Sequence, residues 1–94
     1  MQMVTFDLQQ ISDSGEFYRQ FARKFELCYF GNNLDALWDM LTAGIELPVR
    51  ITLRHLDQHP HQPELARILR VMQEAEEETD GAFSVRVTAM PAGD

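Results

Sequence analysis

Six residues, Val49-Arg50-Ile51-Thr52-Leu53-Arg54, set the architecture of this chain, because apolar and polar side chains alternate along them without interruption. Such alternation is typical of a β-strand with one buried face and one open face. The stretches 3–8 and 83–88 have the same pattern. Strands that are covered on both faces are apolar throughout. The pattern therefore predicts a sheet with helices on one face only, and an open face that carries Arg50, Arg54 and Arg86.

The period between these strands is helical. Phe17, Phe21 and Phe25 recur every fourth residue and predict a first helix over 14–26. A second helix is capped by Asn32 or Asn33. Its expected core stripe is Leu34, Leu37, Leu41 and Ile45. Pro63 suits the first turn of a last helix, with an apolar face made of Leu65, Ile68, Leu69, Met72 and Ala75. The stretch 55–63 is expected to be a loop, either irregular throughout or with one turn of helix.

The order of the elements, β-α-α-β-α-β, favours parallel pairing with right-handed crossovers. We therefore expect a two-layer α/β domain. A chain of 94 residues with 45% hydrophobic and 24% charged residues has the composition of one globular domain. The boundaries are predicted at 1–90 for the domain and 91–94 for a C-terminal tail.

Composition also bears on compartment and partners. Cys28 is the only cysteine, so an internal disulfide is excluded and the fold rests on packing. The first residues lack the pattern of a signal peptide and no run is apolar enough for a membrane span, so we expect a cytoplasmic protein without membrane contact. The net charge of −7 disfavours direct binding of nucleic acid and favours basic partners.

The acidic residues are concentrated in two segments. No Lys or Arg lies between Lys24 and Arg50, or between Arg70 and Arg86, although both segments contain several acids. Charge runs most often mean solvated helix faces. If the two segments meet in space, they form one acidic patch.

On a helical wheel, the second helix places four polar residues in one arc, with Trp38 at its border. These are Asp35, Asp39, Thr42 and Glu46. Asp35 has a purely structural interpretation as well, because the helix dipole favours an acid there. The Trp38 ring is more often part of a core than of a binding site. As a set, carboxylates beside a large aromatic suit a partner site rich in Arg and Lys.

One long motif points to a known family. It reads Tyr29-Phe30-Gly31-Asn32-Asn33-Leu34-Asp35-Ala36-Leu37-Trp38-Asp39-Met40-Leu41-Thr42. It resembles the core motif of the barstar family, intracellular inhibitors of barnase-type ribonucleases. The resemblance extends through Glu46-Leu47-Pro48 and the last helix, and so covers nearly the whole chain. It implies the barstar-like fold, a three-stranded parallel sheet with helices packed on one face, and a cis Leu47–Pro48 bond.

The resemblance also implies roles for individual residues. Asp39 corresponds to the carboxylate that enters the nuclease site and takes the position of the substrate phosphate. Asp35 and Glu74 correspond to acids that pair with a partner arginine, and Glu78 to a steering charge. The implied contact positions are Tyr29, Gly31, Asn33, Trp38 and Thr42. We expect Asp35, Asp39, Glu74 and Glu78 to share one surface, and we expect Asp39, but not Glu46, to be a binding hot spot.

The implied partner is a basic extracellular-type ribonuclease, bound by a protein that is monomeric when free. Gly44 departs from the family pattern, because the ribonuclease inhibitors have a large aromatic there. An alternative partner is therefore a different basic protein, such as a toxin nuclease, with this chain in an immunity or antitoxin role.

Two other classes of function are disfavoured. Asp35 and Asp39 could serve as an acid–base pair, but a helix face is convex and catalysis normally needs a pocket, so we predict that the protein is not an enzyme. His55, His59 and His61, with Asp57 among them, have a spacing that suggests metal binding. That segment is interrupted by prolines and incidental histidines are commoner, so we predict neither a metal nor a cofactor.

Overall fold

The computed structural model describes residues 2–56 and 59–88. The strands are β1 (Gln2–Asp7), β2 (Val49–Arg54) and β3 (Phe83–Thr88). The α-helices are α1 (Ser14–Lys24), α2 (Leu34–Asp39) and α3 (Gln62–Glu78), and a π-helix (Met40–Gly44) continues α2. A short 3-10 turn, Leu8–Gln10, follows β1. The expected tail at 91–94 lies outside the described residues.

The three strands form one parallel sheet with β2 in the centre. Val49 pairs with Gln2 on one side and with Phe83 on the other, and the register continues without a bulge to Arg54. Along β2 the apolar side chains are buried and the alternate polar ones are half-buried. The predicted α/β fold, with one covered and one open sheet face, is confirmed.

The core lies between the covered face and the helices. Phe6 of β1 packs against Phe17 of α1, with ring centroids 4.8 Å apart, and both rings are at most 1% exposed. From α3, the core receives Leu65, Ile68, Met72 and Ala75, which are all buried. Leu69, expected on the same face, is half-buried at its edge.

Local signals fix the helix starts. The Asp13 carboxylate accepts a hydrogen bond from the Glu16 amide and so begins α1. Of the two candidates for the cap of α2, Asn33 is the residue used, because Asn32 has a left-handed backbone (φ 53°). Pro63 occupies the first turn of α3, as expected. None of the described helices is long and apolar enough to cross a membrane.

The second helix differs from the expectation of a continuous α-helix up to Ile45. Its last five residues form a π-helix, whose wider turn holds more residues than an α-turn. Leu37 and Leu41 are fully buried, but Leu34 and Ile45 only pack at the edge of the core. Ile45 is already extended (φ −105°, ψ 161°). Glu46 therefore lies beyond the helix, and its expected place in the polar arc was wrong.

Candidate partner-binding face

The loop before α2 approaches the helix closely. Asn33 accepts a hydrogen bond from the Ala36 amide at 2.7 Å and donates one to the Gly31 carbonyl at 3.0 Å. A Cβ atom on Gly31 would lie 3.1 Å from the side-chain Nδ2 of Asn33 and 3.2 Å from the Ala36 Cβ. Gly31 therefore permits the tight turn that brings the loop onto the N-terminus of α2. Two of the predicted contact residues thus have a structural task.

The same loop exposes Tyr29. The neighbouring Phe30 packs between Phe21 and Tyr18, with ring centroids 5.2 and 5.8 Å away. This inward anchor turns Tyr29 outward, where it is 85% exposed. An aromatic ring held in solvent by a fixed backbone is the type of residue that protein interfaces use as an anchor. Phe30 was not among the predicted site residues, although it positions one of them.

Four further predicted residues lie on α2 and on the π-helix. Asp35 and Asp39 are exposed, whereas Trp38 and Thr42 are half-buried. Trp38 packs against the core cluster, so its ring is fixed at the border between core and surface. The Thr42 hydroxyl donates to the Trp38 carbonyl at 2.8 Å. Within the described ranges, neither Asp35 nor Asp39 forms an ion pair.

Helix α3 packs beside both parts of this helix, as expected. Glu74 and Glu78 are exposed on α3. Glu74 has a cation nearby, because the Arg70 Nε lies 3.9 Å from its carboxylate and both side chains are largely solvent-accessible. An exposed pair of this kind contributes little to stability. The four acids therefore lie exposed on adjacent helices, which is the arrangement that one acidic face requires.

The C-terminal turn of α3 carries Glu76, Glu77 and Glu78 and no basic residue. Carboxylates are unfavourable there, because the helix dipole is negative at that end. Glu76 is compensated, since it accepts a hydrogen bond from the Val85 amide of β3 at 3.0 Å. Glu77 and Glu78 are exposed, and their carboxylates have no hydrogen bond or ion pair among the residues described. The fold thus keeps two charges that do not stabilise it.

Sequence reasoning missed one contact beside this face. A Cβ atom on Gly44 would lie 2.6 Å from both the Sδ and the Cε of Met40. The tip of Met40 therefore occupies the space into which a side chain at position 44 would project. The sequence showed that Gly44 departs from the family pattern. Its apolar spacing did not show which neighbouring side chain fills the space.

The histidines have other partners. His55 is 7% exposed, and its Nδ1 lies 2.9 Å from the Asp7 carboxylate. His59 uses both ring nitrogens, one with the Ile11 carbonyl and one with the His61 amide. Over 2–56 and 59–88, no three His, Cys, Asp or Glu side chains converge as metal ligands would. Asp57, the fourth residue considered, lies outside the described residues.

Asp35 and Asp39 lie outside two clefts in the described surface. A cleft of about 360 Å³ beside Gly44 and one of about 390 Å³ beside His55 are lined by residues other than Asp35 and Asp39. Both carboxylates are open to water on a convex helix surface. Small-molecule sites are concave and enclose most of the ligand, and neither of these clefts includes the two carboxylates.

Comparison with known proteins gives two findings. Residues 1–89 match the family model described as Barstar (barnase inhibitor). A curated relative from Bacillus subtilis (strain 168), named "Putative ribonuclease inhibitor YrdF", is 39% identical over 59 residues, which are 61% of this chain. The chain covers 65% of the length of that relative.

Proposed function

Because the chain belongs to the barstar family, we propose that it binds a basic ribonuclease and blocks the active site of that nuclease with its acidic helix face. A ribonuclease must bind the phosphates of RNA, so its active site is rich in Arg and Lys. Carboxylates form short, charge-assisted hydrogen bonds with the same groups. An inhibitor of this kind needs no chemistry of its own, and it needs neither a metal nor a cofactor.

The observation that supports the proposal most strongly concerns the exposure and the charge partners of Asp35 and Asp39. Both are exposed, and neither has a cationic neighbour within ion-pair distance in the described part of the chain. They flank Trp38, whose ring is fixed against the core. Carboxylates without an internal ion pair meet partner arginines without first losing one. In this assignment Asp39 takes the place of the substrate phosphate, and Asp35 pairs with an arginine.

The other predicted residues complete the face. Tyr29 supplies an exposed aromatic anchor, and Glu74 adds a carboxylate from α3. Glu78 attracts the basic partner from a distance, because its charge is uncompensated at the end of the helix. Gly31, Asn33 and Thr42 hold the backbone in place and contribute polar contacts at the rim. We assign the free protein to the cytoplasm as a monomer, acting on an extracellular-type ribonuclease.

The alternative partner, a toxin nuclease or another basic protein, is favoured by Gly44. The Met40 thioether occupies the space beside Gly44, where the resemblance leads one to expect a large aromatic. A partner shaped for that aromatic would meet a smaller, flexible surface here. The acidic face suits either partner, so the nuclease must be identified by experiment.

The proposal is tested by titrating the purified protein into a barnase-type ribonuclease and measuring the cleavage of RNA. We expect inhibition that saturates at one inhibitor per enzyme and weakens as salt is added. The matched control is a neutral ribonuclease of similar size, which should be unaffected. Absence of inhibition at stoichiometric concentrations, together with tight binding to a toxin nuclease, would replace the proposal with the alternative.

A further inference from the structure

The open face of the sheet has the opposite charge to α2 and α3. It consists of the alternate residues of the three strands, whose charged members are Asp7, Arg50, Arg54 and Arg86. None of these three arginines forms an ion pair within 4.0 Å in the part of the chain that the structure describes. Asp7 is engaged with His55. A domain with a net charge of −7 thus carries a basic surface on one side.

Near the start of β2 and β3, this face holds two polar atoms without partners among the described residues. Arg50 and Ser84 are register neighbours on β2 and β3. The Arg50 Nε and the Ser84 Oγ are shielded from solvent and have no hydrogen-bond partner among the described residues. Leaving a buried donor unpaired is costly, and an added acceptor recovers the loss. Carboxylate oxygens are the strongest side-chain acceptors for a guanidinium group.

The spacing of the arginines indicates the shape of an occupant. Arg50 and Arg54 are four residues apart on one strand, or about 13 Å. Arg86 on β3 is the register partner of Thr52, so it lies one strand away at a level midway between Arg50 and Arg54. Three acids spaced four residues apart on an α-helix span about 12 Å from the first to the third. Parallel sheets are normally covered by helices on both faces, and the structure describes a helical layer on only one face of this sheet.

We propose that the open sheet face docks an acidic helix of another protein, whose carboxylates pair with Arg50, Arg54 and Arg86. Single-stranded RNA is a poorer occupant, because the face residues Thr5, Thr52 and Thr88 offer hydroxyls where base stacking needs aromatic rings. The remaining charge of the domain also repels nucleic acid at long range. This face lies on the other layer from the acidic helices, so both surfaces can be occupied at once.

The test uses the full chain and a defined probe. The probe is an alanine-based helical peptide with glutamate at every fourth position, and its matched control has glutamine at those positions. Amide chemical shifts of the chain are followed by NMR at low and physiological salt. We expect shifts from the glutamate peptide that centre on Arg50, Thr52, Ser84 and Arg86, and a markedly smaller response to the glutamine peptide.

Variants provide the second measurement. Arg50→Gln combined with Arg86→Gln should weaken peptide binding about tenfold or more, because two charge-assisted contacts are lost. Arg67→Gln, an exposed residue of α3, loses an arginine on the helical layer and should leave binding unchanged. Circular dichroism and urea unfolding establish that each variant is folded.

Four results would overturn the proposal. These are shifts outside the sheet face, equal binding of the two peptides, equal binding by wild type and the Arg50/Arg86 variant, and tighter binding of a single-stranded RNA oligonucleotide than of the peptide. Self-association of the chain through this face, seen by sedimentation without any peptide, would equally replace the proposed partner by a second copy.

Discussion

Glu64 in the first turn of α3 accepts a hydrogen bond from the backbone amide of Ser14, the first residue of α1, at 2.7 Å. The amides at a helix start have no partner within the helix. A carboxylate from another helix therefore caps α1 and joins the starts of the two helices. This bond is the first cause of the lowered pKa of Glu64.

The pKa of Glu64 gives a prediction for acid. A carboxyl group whose pKa is lowered by folding contributes stability above its unfolded pKa, about 4.3 for glutamate, and loses it as the pH falls through the folded value. We expect Glu64→Gln to lower the free energy of unfolding at pH 7. The variant should also lose less of that free energy than the wild type when the pH falls from neutral to acidic. Urea unfolding from pH 7 to pH 3 measures both. A variant with the same pH dependence as wild type would show that the capping bond is absent in solution.

A second prediction concerns His55, which has a left-handed backbone (φ 68°) although it carries a side chain. That conformation costs a residue other than glycine about 1–2 kcal/mol. His55→Ala and His55→Gly both lose the bond to Asp7, but only the glycine variant relieves the backbone. We therefore expect His55→Gly to be at least as stable as His55→Ala in chemical unfolding. At an ordinary position glycine is less stable by about 0.5–1 kcal/mol, and that order would contradict the left-handed assignment.

Variants of Asn33 can separate its role in capping α2 from a role in binding a partner. Asn33→Ala removes the acceptor for the Ala36 amide and should cost about 1 kcal/mol of stability. Asn33→Asp keeps this acceptor and suits the helix dipole but loses the donor to the Gly31 carbonyl, so it should recover only part of the stability that alanine loses. If affinity for a ribonuclease falls with alanine but not with aspartate, the contribution of Asn33 lies in the helix start. Loss with both variants would assign it to the side-chain NH2 group, which bonds the Gly31 carbonyl in the free protein and is available to a partner.

Asp39 and Glu46 form a matched pair for the acidic face, because both are exposed acids and only Asp39 lies on the helix. Asp39→Ala should weaken ribonuclease binding by about 2–5 kcal/mol or more, mainly through faster dissociation. That range describes buried charge pairs at interfaces, for which the barnase–barstar complex is the worked example, and it is carried over to this chain. Glu46→Ala should change binding little, as measured by surface plasmon resonance. Equal losses would place the contact surface elsewhere.

Glu78 should act on association instead. Its charge has no partner among the described residues, so it contributes to the field that a basic nuclease meets. Glu78→Gln should slow association at low salt, and the difference should fade at physiological ionic strength, where the screening length is about 8 Å. Glu78→Asp keeps the charge and serves as the control. A change confined to the dissociation rate would instead mark Glu78 as a buried contact.

The sequence predicted the strands well, because a period of two on one buried face leaves no alternative register. It failed at Met40–Gly44, because the residues of a π-helix carry the same apolar spacing as an α-helix over one turn. Three contacts join a side chain to distant or irregular backbone. They are the Met40 side chain beside Gly44, the Glu76 carboxylate that accepts from the Val85 amide, and the Glu64 carboxylate that accepts from the Ser14 amide. Residue type and spacing do not encode such contacts, so they required coordinates.

The central position of β2 has a consequence for how the chain folds. Gln2 and Phe83 both pair with Val49, so each edge strand reaches its place only by closing a long loop onto the middle of the chain. Closing a long loop costs chain entropy before the contacts between strands can form, and this cost slows folding. A chain that emerges from the ribosome with β1, α1 and α2 complete still has no sheet. We expect the helical segments to remain loosely collapsed until β2 is available as a template.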